Sequence, residues 1–271
     1  MNDTQHIQSV LKGKKLYLLD MDGTLYLGSR LFVHSLAFLQ AIRDSGGSYL
    51  FLTNNSSKGT ATYVEKLNSM GIPARHGDFF TSTDAAVAYL RANEPRKLIY
   101  TLGTASFREH LRQEGFNITD RLEEGIDCLL MGYDTELNYQ KLIDATKLLN
   151  RGVAYLATNP DWVCPTEYGY IPDCGSIAQA LEHATGRLPL FLGKPQPQIA
   201  QLAMQKAGAR PEETVLIGDR IYTDIACGKA AGVTTVLVFS GETTRETWQQ
   251  SDIKPELAVQ GVEDLLPALQ P

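Results

Sequence analysis

The sequence predicts an α/β fold that is built on a parallel β-sheet. Short apolar runs alternate along the whole chain with segments in which apolar side chains recur at helical spacing. This alternation of strand and helix favours a parallel sheet with right-handed crossover connections. The chain has 271 residues, of which 43 % are hydrophobic, so it can form one large or two medium domains.

The predicted elements follow one another in a regular order. The first part of the chain has predicted strands at 16–20 and 48–53 and predicted helices at 35–44 and 59–70, and glycines end both helices. The middle adds strands at 98–102, 127–133 and 153–158 and helices at 83–92, 105–114, 139–150 and 176–185. The last part adds strands at 190–193, 214–217 and 234–239 and helices at 197–207, 223–231 and 262–269.

Polar residues follow four of these predicted strands. They are Asp20 and Asp22, then Thr53 and Asn54, then Lys194, and finally Asp219 and Asp224. Ligands bind at the carboxyl ends of the strands in open parallel sheets. If the four strands are neighbours, we expect these side chains to form one site.

Asp20 and Asp22 determine the chemistry that we expect there. Two carboxylates at the end of a hydrophobic strand are costly to bury unless a cation or hydrogen-bond donors compensate them. A divalent metal such as Mg²⁺ takes oxygen ligands of this kind, so Asp20 could then attack phosphorus while Asp22 holds or delivers a proton. Gly23 gives the turn its backbone freedom. The alternative is a strand followed by a polar turn, because Asp-Gly is also a common turn sequence.

Four fragments, in this order, resemble the motifs of the haloacid dehalogenase (HAD) superfamily of phosphotransferases. Residues 20–25 (Asp-Met-Asp-Gly-Thr-Leu) match the first motif, and residues 53–55 (Thr-Asn-Asn) resemble the second. Residues 193–195 (Gly-Lys-Pro) resemble the third motif, and residues 218–224 (Gly-Asp-Arg-Ile-Tyr-Thr-Asp) resemble the fourth. The resemblance covers nearly the whole chain.

The segment between the second and third motifs is long. Its position resembles that of the α/β cap inserted in subfamily IIA, which contains the NagD-like sugar-phosphate phosphatases and the 4-nitrophenylphosphatases. The resemblance implies a discontinuous, Rossmann-like HAD core domain at residues 1–80 and 187–271. It also implies an inserted α/β cap domain of the C2 type at residues 81–186.

The same resemblance assigns the catalytic and metal-binding roles. It makes Asp20 the nucleophile that forms an aspartyl-phosphate, and Asp22 the acid and then the base. It implies that Mg²⁺ is bound by the carboxylates of Asp20 and Asp219 and by the backbone carbonyl of Asp22. Asp224 would support the metal site from outside these direct ligands. Considered alone, Asp224 could instead cap the helix that follows it.

The resemblance places Thr53, Asn54, Asn55 and Lys194 around the substrate phosphate. Lys194 would offset the negative charge of both the nucleophile and the phosphoryl group. Considered alone, Thr53 to Ser56 could be an N-cap and turn, and Lys194 could be a solvated surface lysine.

Four polar residues of the predicted cap could contact the leaving group, namely Asn159, Asp161, Cys164 and Asp173. Two of them have a simpler explanation. Asp173 could cap the helix predicted at 176–185, and Cys164 could be a small buried thiol.

The bulk properties restrict the partners and the compartment. A net charge of −6 argues against nucleic acid as a partner. No apolar run approaches the roughly 18 residues that a membrane span requires, and the N-terminus lacks the apolar segment of a signal peptide. The four cysteines are scattered, which favours reduced thiols and a cytoplasmic enzyme.

The sequence therefore predicts a Mg²⁺-dependent phosphatase of small phosphomonoesters, such as sugar phosphates, p-nitrophenyl phosphate and nucleoside monophosphates. The resemblance also implies a homodimer that forms through the cap. One alternative is a phosphotransferase or mutase of the same superfamily. Another is a non-catalytic phospho-receiver, although a receiver needs no acid two residues after its nucleophile. A degenerate binding module is a further alternative, which the intact motifs disfavour.

Overall fold

The computed structural model describes residues 3–93, 97–166 and 168–269. Its strands are β1 Leu16–Leu19, β2 Tyr26–Leu27, β3 Arg30–Leu31, β4 Ser48–Thr53, β5 Phe79–Thr81, β6 Leu98–Leu102, β7 Ile118–Thr119, β8 Ile126–Met131, β9 Ala154–Ala157, β10 Val163–Thr166, β11 Gly169–Pro172, β12 Leu190–Phe191, β13 Thr214–Gly218, β14 Thr234–Val238 and β15 Leu257–Val259. Its α-helices are α1 Asp3–Leu11, α2 Ser35–Asp44, α3 Thr60–Ser69, α4 Ser82–Asn93, α5 Ala105–Gln113, α6 Tyr139–Asn150, α7 Cys174–Thr185, α8 Pro197–Ala207, α9 Ala226–Ala230, α10 Arg245–Gln250 and α11 Leu266–Leu269.

The chain forms two compact units. The first comprises residues 3–53, 64–80 and 194–269 of the described chain, and the second comprises residues 54–63 and 81–193. The predicted boundaries between the core domain and the cap domain, at 80/81 and 186/187, stay a prediction.

The first unit is built on a six-stranded sheet with the order β15-β14-β13-β1-β4-β5. All four residues of β1 are buried, because the strand lies inside the sheet. It pairs in parallel with β13 on one side and with β4 on the other, so that Leu19 is opposite both Ile217 and Phe51. The carboxyl ends of β1, β4 and β13 therefore share one edge, and the polar residues that follow these three strands are brought together there.

The second unit has its own sheet, with the order β12-β9-β8-β6-β7 and with parallel pairing. Its apolar core includes the fully buried side chains of Leu129, Met131 and Leu148. An antiparallel hairpin of β10 and β11 is added to this sheet-and-helix unit. Two parallel sheets with α-helices agree with the predicted α/β class.

The strand predicted at 190–193 requires a correction. It spans Leu190–Phe191, and it pairs with β9 of the second unit, opposite Leu156 and Ala157. Lys194 consequently does not follow a strand of the six-stranded sheet. The apolar run predicts a strand equally well in either sheet, since hydrophobicity carries no information on the pairing partner.

Several other details differ from the prediction. The helix expected at 223–231 begins with a π-helical turn at Ile221–Ile225 before α9, and the helix expected at 262–269 begins with a 3₁₀ turn at Val262–Leu265 before α11. The hairpins β2–β3 and β10–β11 were not predicted, because such short and partly exposed strands lack a clear apolar pattern. Within the described residues, every helix is too short or too polar to cross a membrane.

Candidate active site

The end of β1 places Asp20 in the site. The backbone N–H of Asp20 donates to Ile217 O at 2.9 Å and thereby extends the pairing with β13. The next residues turn sharply, since Gly23 has a φ of +89° and its N–H donates to Tyr26 O at 2.7 Å. Because β1 is paired on both sides, the nucleophile candidate is attached to an interior strand of the sheet. Its side chain is 15 % exposed.

Lys194 contacts this carboxylate directly. Its Nζ donates to Asp20 Oδ1 at 2.7 Å, to Asp224 Oδ1 at 2.6 Å and to the backbone oxygen of Leu52 at 3.0 Å. The side chain is only 3 % exposed. The interpretation of Lys194 as a solvated surface lysine is therefore wrong, although the strand that was expected to carry it belongs to the other sheet.

Asp219 and Asp224 come from the segment that follows β13. Asp219 Oδ2 accepts a hydrogen bond from the backbone N–H of Glu242 at 2.6 Å. Asp224 Oδ2 accepts from the backbone N–H of Arg220 at 3.1 Å, while its Oδ1 accepts from Lys194. Asp224 thus holds both the lysine and the segment that carries Asp219.

Two glycines make room for the Asp219 carboxylate. A Cβ atom added at Gly241 would lie 2.0 Å from Asp219 Oδ2, and one added at Gly23 would lie 2.5 Å from the same oxygen. Real Cβ atoms do not approach other atoms so closely. Side chains at positions 23 and 241 would therefore displace the acid.

The acidic side chains form a group that fits a divalent cation. Asp20, Asp219 and Asp224 each offer an oxygen, and these three oxygens lie within 4.8 Å of one another. Asp219 Oδ1 is buried and has no hydrogen-bond partner among the residues that the structure describes. A buried carboxylate oxygen without a partner is costly, whereas Mg²⁺ selects such oxygens as ligands. The donor set therefore suits Mg²⁺.

The pKa shifts of these residues also favour a bound cation. Burial raises the pKa of Asp20 to about 7, although the ammonium of Lys194 opposes this shift. Burial, together with the charges of Asp20 and Asp224, also raises the pKa of Asp219 well above its ordinary value. Burial alone would lower the pKa of Lys194, but the carboxylates of Asp20 and Asp224 raise it above its ordinary value. The group holds three acids and one lysine, which contacts two of them, so it is short of positive charge.

The Asp22 carboxylate lies outside this acidic group. Its side chain is 36 % exposed, with Lys66 Nζ 4.0 Å from Oδ2. The backbone N–H of Gly28 donates to Oδ1 at 3.4 Å. Burial raises the pKa of Asp22, and the positive charge of Lys66 opposes this shift. A carboxyl group with a raised pKa, separate from the cation ligands, can hold a proton for transfer.

The residues of the second motif divide between the two units. Thr53 ends β4 in the first unit and is buried. Asn54 belongs to the second unit, where its Nδ2 donates to both carboxylate oxygens of Asp161, at 3.2 and 3.3 Å. Asn55 Oδ1 accepts from the N–H and the hydroxyl of Ser57 at 3.0 and 2.8 Å. The side chain of Asn55 thus makes the local turn contact that was the simpler explanation.

Three of the polar residues expected to contact the leaving group have structural contacts within the second unit. The Nδ2 of Asn159 donates to the backbone oxygen of Asn54 at 2.9 Å, and its Oδ1 accepts from the N–H of Asp161 at 2.9 Å. Asp173 is the N-cap residue of α7, where its Oδ1 accepts from Cys174 N at 2.5 Å. These contacts support the simpler explanation for Asp173.

Cys164, the fourth of these residues, is half-buried against the core of the second unit. Its Sγ lies 3.8 Å from the backbone oxygen of Pro165. The alternative interpretation, a small buried thiol, therefore fits Cys164 only in part, because its side chain is half-buried.

Sequence reasoning missed Gly241, Glu242 and Lys66. The first two follow β14 at the same edge of the sheet, so the strand end was a signal that could have identified them. Lys66 gave no such signal, because a lone lysine on a helix is normally solvated.

Comparisons with known families agree with this geometry. Residues 17–117 match the family model described as haloacid dehalogenase-like hydrolase, and residues 191–265 match the model described as HAD-hydrolase-like. The 5'-nucleotidase YutF of Bacillus subtilis is 33 % identical over 95 % of this chain and 99 % of its own length. The acid sugar phosphatase of Staphylococcus haemolyticus is 33 % identical over 90 % of this chain and 92 % of its own.

Solved structures give the same result. The 4-nitrophenylphosphatase of Thermotoga maritima is 37 % identical and superposes with a TM-score of 0.91 over 96 % of this chain and 99 % of its own. The glycerol phosphate phosphatase of Mycobacterium tuberculosis, in complex with magnesium, is 26 % identical with a TM-score of 0.87 over 94 % of this chain and 77 % of its own. These likenesses confirm the predicted Rossmann-like core with a second, inserted α/β domain.

Proposed function

This chain belongs to the haloacid dehalogenase-like hydrolases and is a phosphatase of its NagD-like branch, and from that premise we propose that it hydrolyses small phosphomonoesters with Mg²⁺ through an aspartyl-phosphate. The observation that carries the proposal is the contact between Lys194 and Asp20 beside the buried Asp219. A buried cation beside the nucleophile and a carboxylate oxygen in need of a cation suit an anionic substrate better than a neutral one.

Asp20 acts as the nucleophile in this mechanism. A carboxylate oxygen of Asp20 attacks phosphorus, and the bond between phosphorus and the ester oxygen breaks. Asp22 gives its proton to the departing oxygen and then takes a proton from the water that attacks the aspartyl-phosphate. The bond from phosphorus to Asp20 then breaks, which releases inorganic phosphate and restores the carboxylate of Asp20 and the protonated carboxyl group of Asp22.

Mg²⁺ would be held by the carboxylates of Asp20 and Asp219 and by the backbone carbonyl of Asp22. Asp224 supports this arrangement by holding Lys194 and the Arg220 backbone. When it is bound, the metal ion supplies positive charge to the phosphoryl oxygens.

Thr53, Asn54, Asn55 and Lys194 hold the phosphate oxygens or the substrate in this proposal. Lys194 contributes a fixed ammonium whose raised pKa keeps it protonated. Thr53 contributes its hydroxyl, and Asn54 contributes its amide. Because Ser57 engages the Asn55 side chain, we assign the contribution of Asn55 to its backbone N–H.

The substrate classes that we propose are sugar phosphates, p-nitrophenyl phosphate and nucleoside monophosphates. The names of the relatives, a nucleotidase, an acid sugar phosphatase and a 4-nitrophenylphosphatase, support these classes. We also propose that residues 81–186 act as a cap whose residues Asn159, Asp161, Cys164 and Asp173 influence the leaving group. A homodimer through this cap and a cytoplasmic location complete the proposal.

The test is a panel of these phosphomonoesters with purified protein and Mg²⁺, scored by the release of inorganic phosphate. We expect turnover by the wild type and none by Asp20→Asn or Asp22→Asn, with all three chains folded by circular dichroism. Substantial turnover by Asp20→Asn would remove Asp20 as the nucleophile. Transfer of phosphate to a second sugar, or a stable phosphorylated protein without release, would favour the mutase or the receiver instead.

A further inference from the structure

A lysine outside all four motifs contacts the acid candidate. Lys66 lies on α3, and its Nζ is 4.0 Å from Asp22 Oδ2 and 4.1 Å from the centre of the Tyr26 ring. Its side chain is 32 % exposed, whereas a lysine on the outside of a helix normally extends into water. The ammonium therefore lies against two side chains of the turn that follows β1, those of Asp22 and Tyr26.

The turn presents these two groups side by side. Asp22 and Tyr26 form an isolated β-bridge, and the N–H of Gly23 donates to Tyr26 O at 2.7 Å. Tyr26 is 2 % exposed, so its ring is a fixed platform for the cation. The ammonium lies over this ring and faces one oxygen of the carboxylate.

The opposite oxygen of Asp22 faces a backbone donor, since the N–H of Gly28 lies 3.4 Å from Oδ1. The carboxylate therefore has a cation near one oxygen and a neutral backbone donor near the other. Arg220, a second cation whose charge acts on Asp22, is engaged by Glu242 with an Nε to Oε2 distance of 2.8 Å. Lys66 is a cation within ion-pair distance of Asp22.

We infer that Lys66 is a positioning residue for Asp22. Its ammonium holds the carboxyl group in the orientation from which the proton passes to the departing oxygen while the phosphorus–oxygen bond breaks. This inference rests on the proposed function, in which Asp22 is the acid of the first step.

Leaving groups of different basicity separate this role from a merely structural one. 4-Nitrophenolate is a stable anion, so it departs with little help from an acid. Phenolate is as basic as a tyrosine side chain, with a pKa of about 10, and depends more on proton transfer. The two esters otherwise have nearly the same shape. A badly positioned acid should therefore slow phenyl phosphate selectively, while a general disturbance of the site should slow both.

The experiment compares kcat/KM for phenyl phosphate and 4-nitrophenyl phosphate, with Mg²⁺, in wild type and Lys66→Met. Methionine keeps the unbranched stem of lysine over the Tyr26 ring and removes only the charge. We expect kcat/KM to fall about tenfold for phenyl phosphate and less than about twofold for 4-nitrophenyl phosphate. Lys66→Arg should restore the phenyl phosphate rate. Lys147→Met, on an exposed position of α6, is the control and should change neither rate.

The outcomes are distinct. Equal losses on the two esters in Lys66→Met, or no loss on either, would overturn the inference. Lys66→Gln gives a second measurement of the same ratio in case the methionine variant does not fold. A wild-type chain that hydrolyses neither ester would instead overturn the proposed function.

Discussion

Lys194 brings a positive charge to a position where its side chain is only 3 % exposed. Its Nζ donates to two carboxylates and to the Leu52 carbonyl. An ammonium can be buried in this way because its three N–H groups all find partners. The same contacts fix its position, so that its charge is in place before a substrate arrives.

Replacement of this lysine should be strongly destabilising. Lys194→Met leaves the carboxylates of Asp20 and Asp224 buried without their common cation, so we expect the free energy of unfolding to fall by about 3–5 kcal/mol. Hydrolysis should be lost as well. Urea denaturation in the absence of Mg²⁺ measures the first effect.

A surface lysine provides the matched control. Lys229 forms an ion pair with Glu256 at 3.0 Å, with both side chains more than 40 % exposed. Lys229→Met should cost less than about 1 kcal/mol, because exposed pairs are screened by water. Equal losses in the two variants would show that the Lys194 contacts are not the buried pair described above.

At the scale of the elements, the turns after β1 and β14 matter as much as the strands. Gly23 and Gly241 border the carboxylate of Asp219, and neither position has room for a Cβ atom. The turn after β1 therefore has two functions. It directs Asp20 and Asp22, and it leaves space for an acid that comes from the neighbouring strand.

Gly23→Ala and Gly13→Ala make a matched pair that separates the two effects of a glycine. Both positions have a positive φ, +89° and +76°, so both variants should lose roughly 1–2 kcal/mol of stability from backbone strain. Only Gly23 lies against Asp219, while nothing lies within 4 Å of a Cβ at Gly13. We expect Gly23→Ala alone to need more Mg²⁺ for half-maximal turnover of p-nitrophenyl phosphate. The expectation fails if the Mg²⁺ requirement of the two variants is the same.

The contact between Asn54 and Asp161 gives an element-scale prediction for the second unit. Asp161→Ala removes the acceptors at 3.2 and 3.3 Å from Asn54 Nδ2, both residues being buried. We expect a loss of about 1–3 kcal/mol in the free energy of unfolding. Asp161→Asn should lose less, because its amide oxygen can still accept. Urea denaturation checks the order, and a larger loss in the asparagine variant would contradict it.

The elements show which parts of this structure the sequence could predict. The long strands and helices, and the four motif acids, are visible because apolar runs and strand-end polar residues leave a local pattern. The pairing of Leu190–Phe191 with β9 was missed, since a partner in a sheet is a non-local property. The same limit applies to Lys66, whose proximity to Asp22 depends on the packing of α3 and not on any motif. It also applies to Asn54, whose amide is engaged by an acid more than a hundred positions away.

For the whole molecule, the balance of charge sets the response to metal. The chain has a net charge of −6. Three of its acids lie close to one another in the first unit, and one lysine contacts two of them. A divalent cation that binds only the folded state should therefore stabilise the protein.

Mg²⁺ should raise the free energy of unfolding by about 2.7 kcal/mol at a concentration of one hundred times its Kd. EDTA should remove both this gain and the turnover. Asp219→Asn should lose the gain while remaining at least as stable as the wild type without metal, because it relieves the crowding of buried acids. Thermal melting with and without Mg²⁺ measures the changes in stability, and the release of inorganic phosphate measures the turnover. A wild-type melting temperature that does not respond to Mg²⁺ would contradict the ligand assignment.

The burial of Lys194 also has a consequence for covalent chemistry at lysines. Acylating reagents react with amines that are accessible and deprotonated, and the Lys194 amine is neither, because it is enclosed and its pKa is raised. In the native protein, peptide mapping should find acyl groups on surface lysines such as Lys229 well before position 194. Modification of Lys194 would therefore report the moment at which the edge of the six-stranded sheet opens.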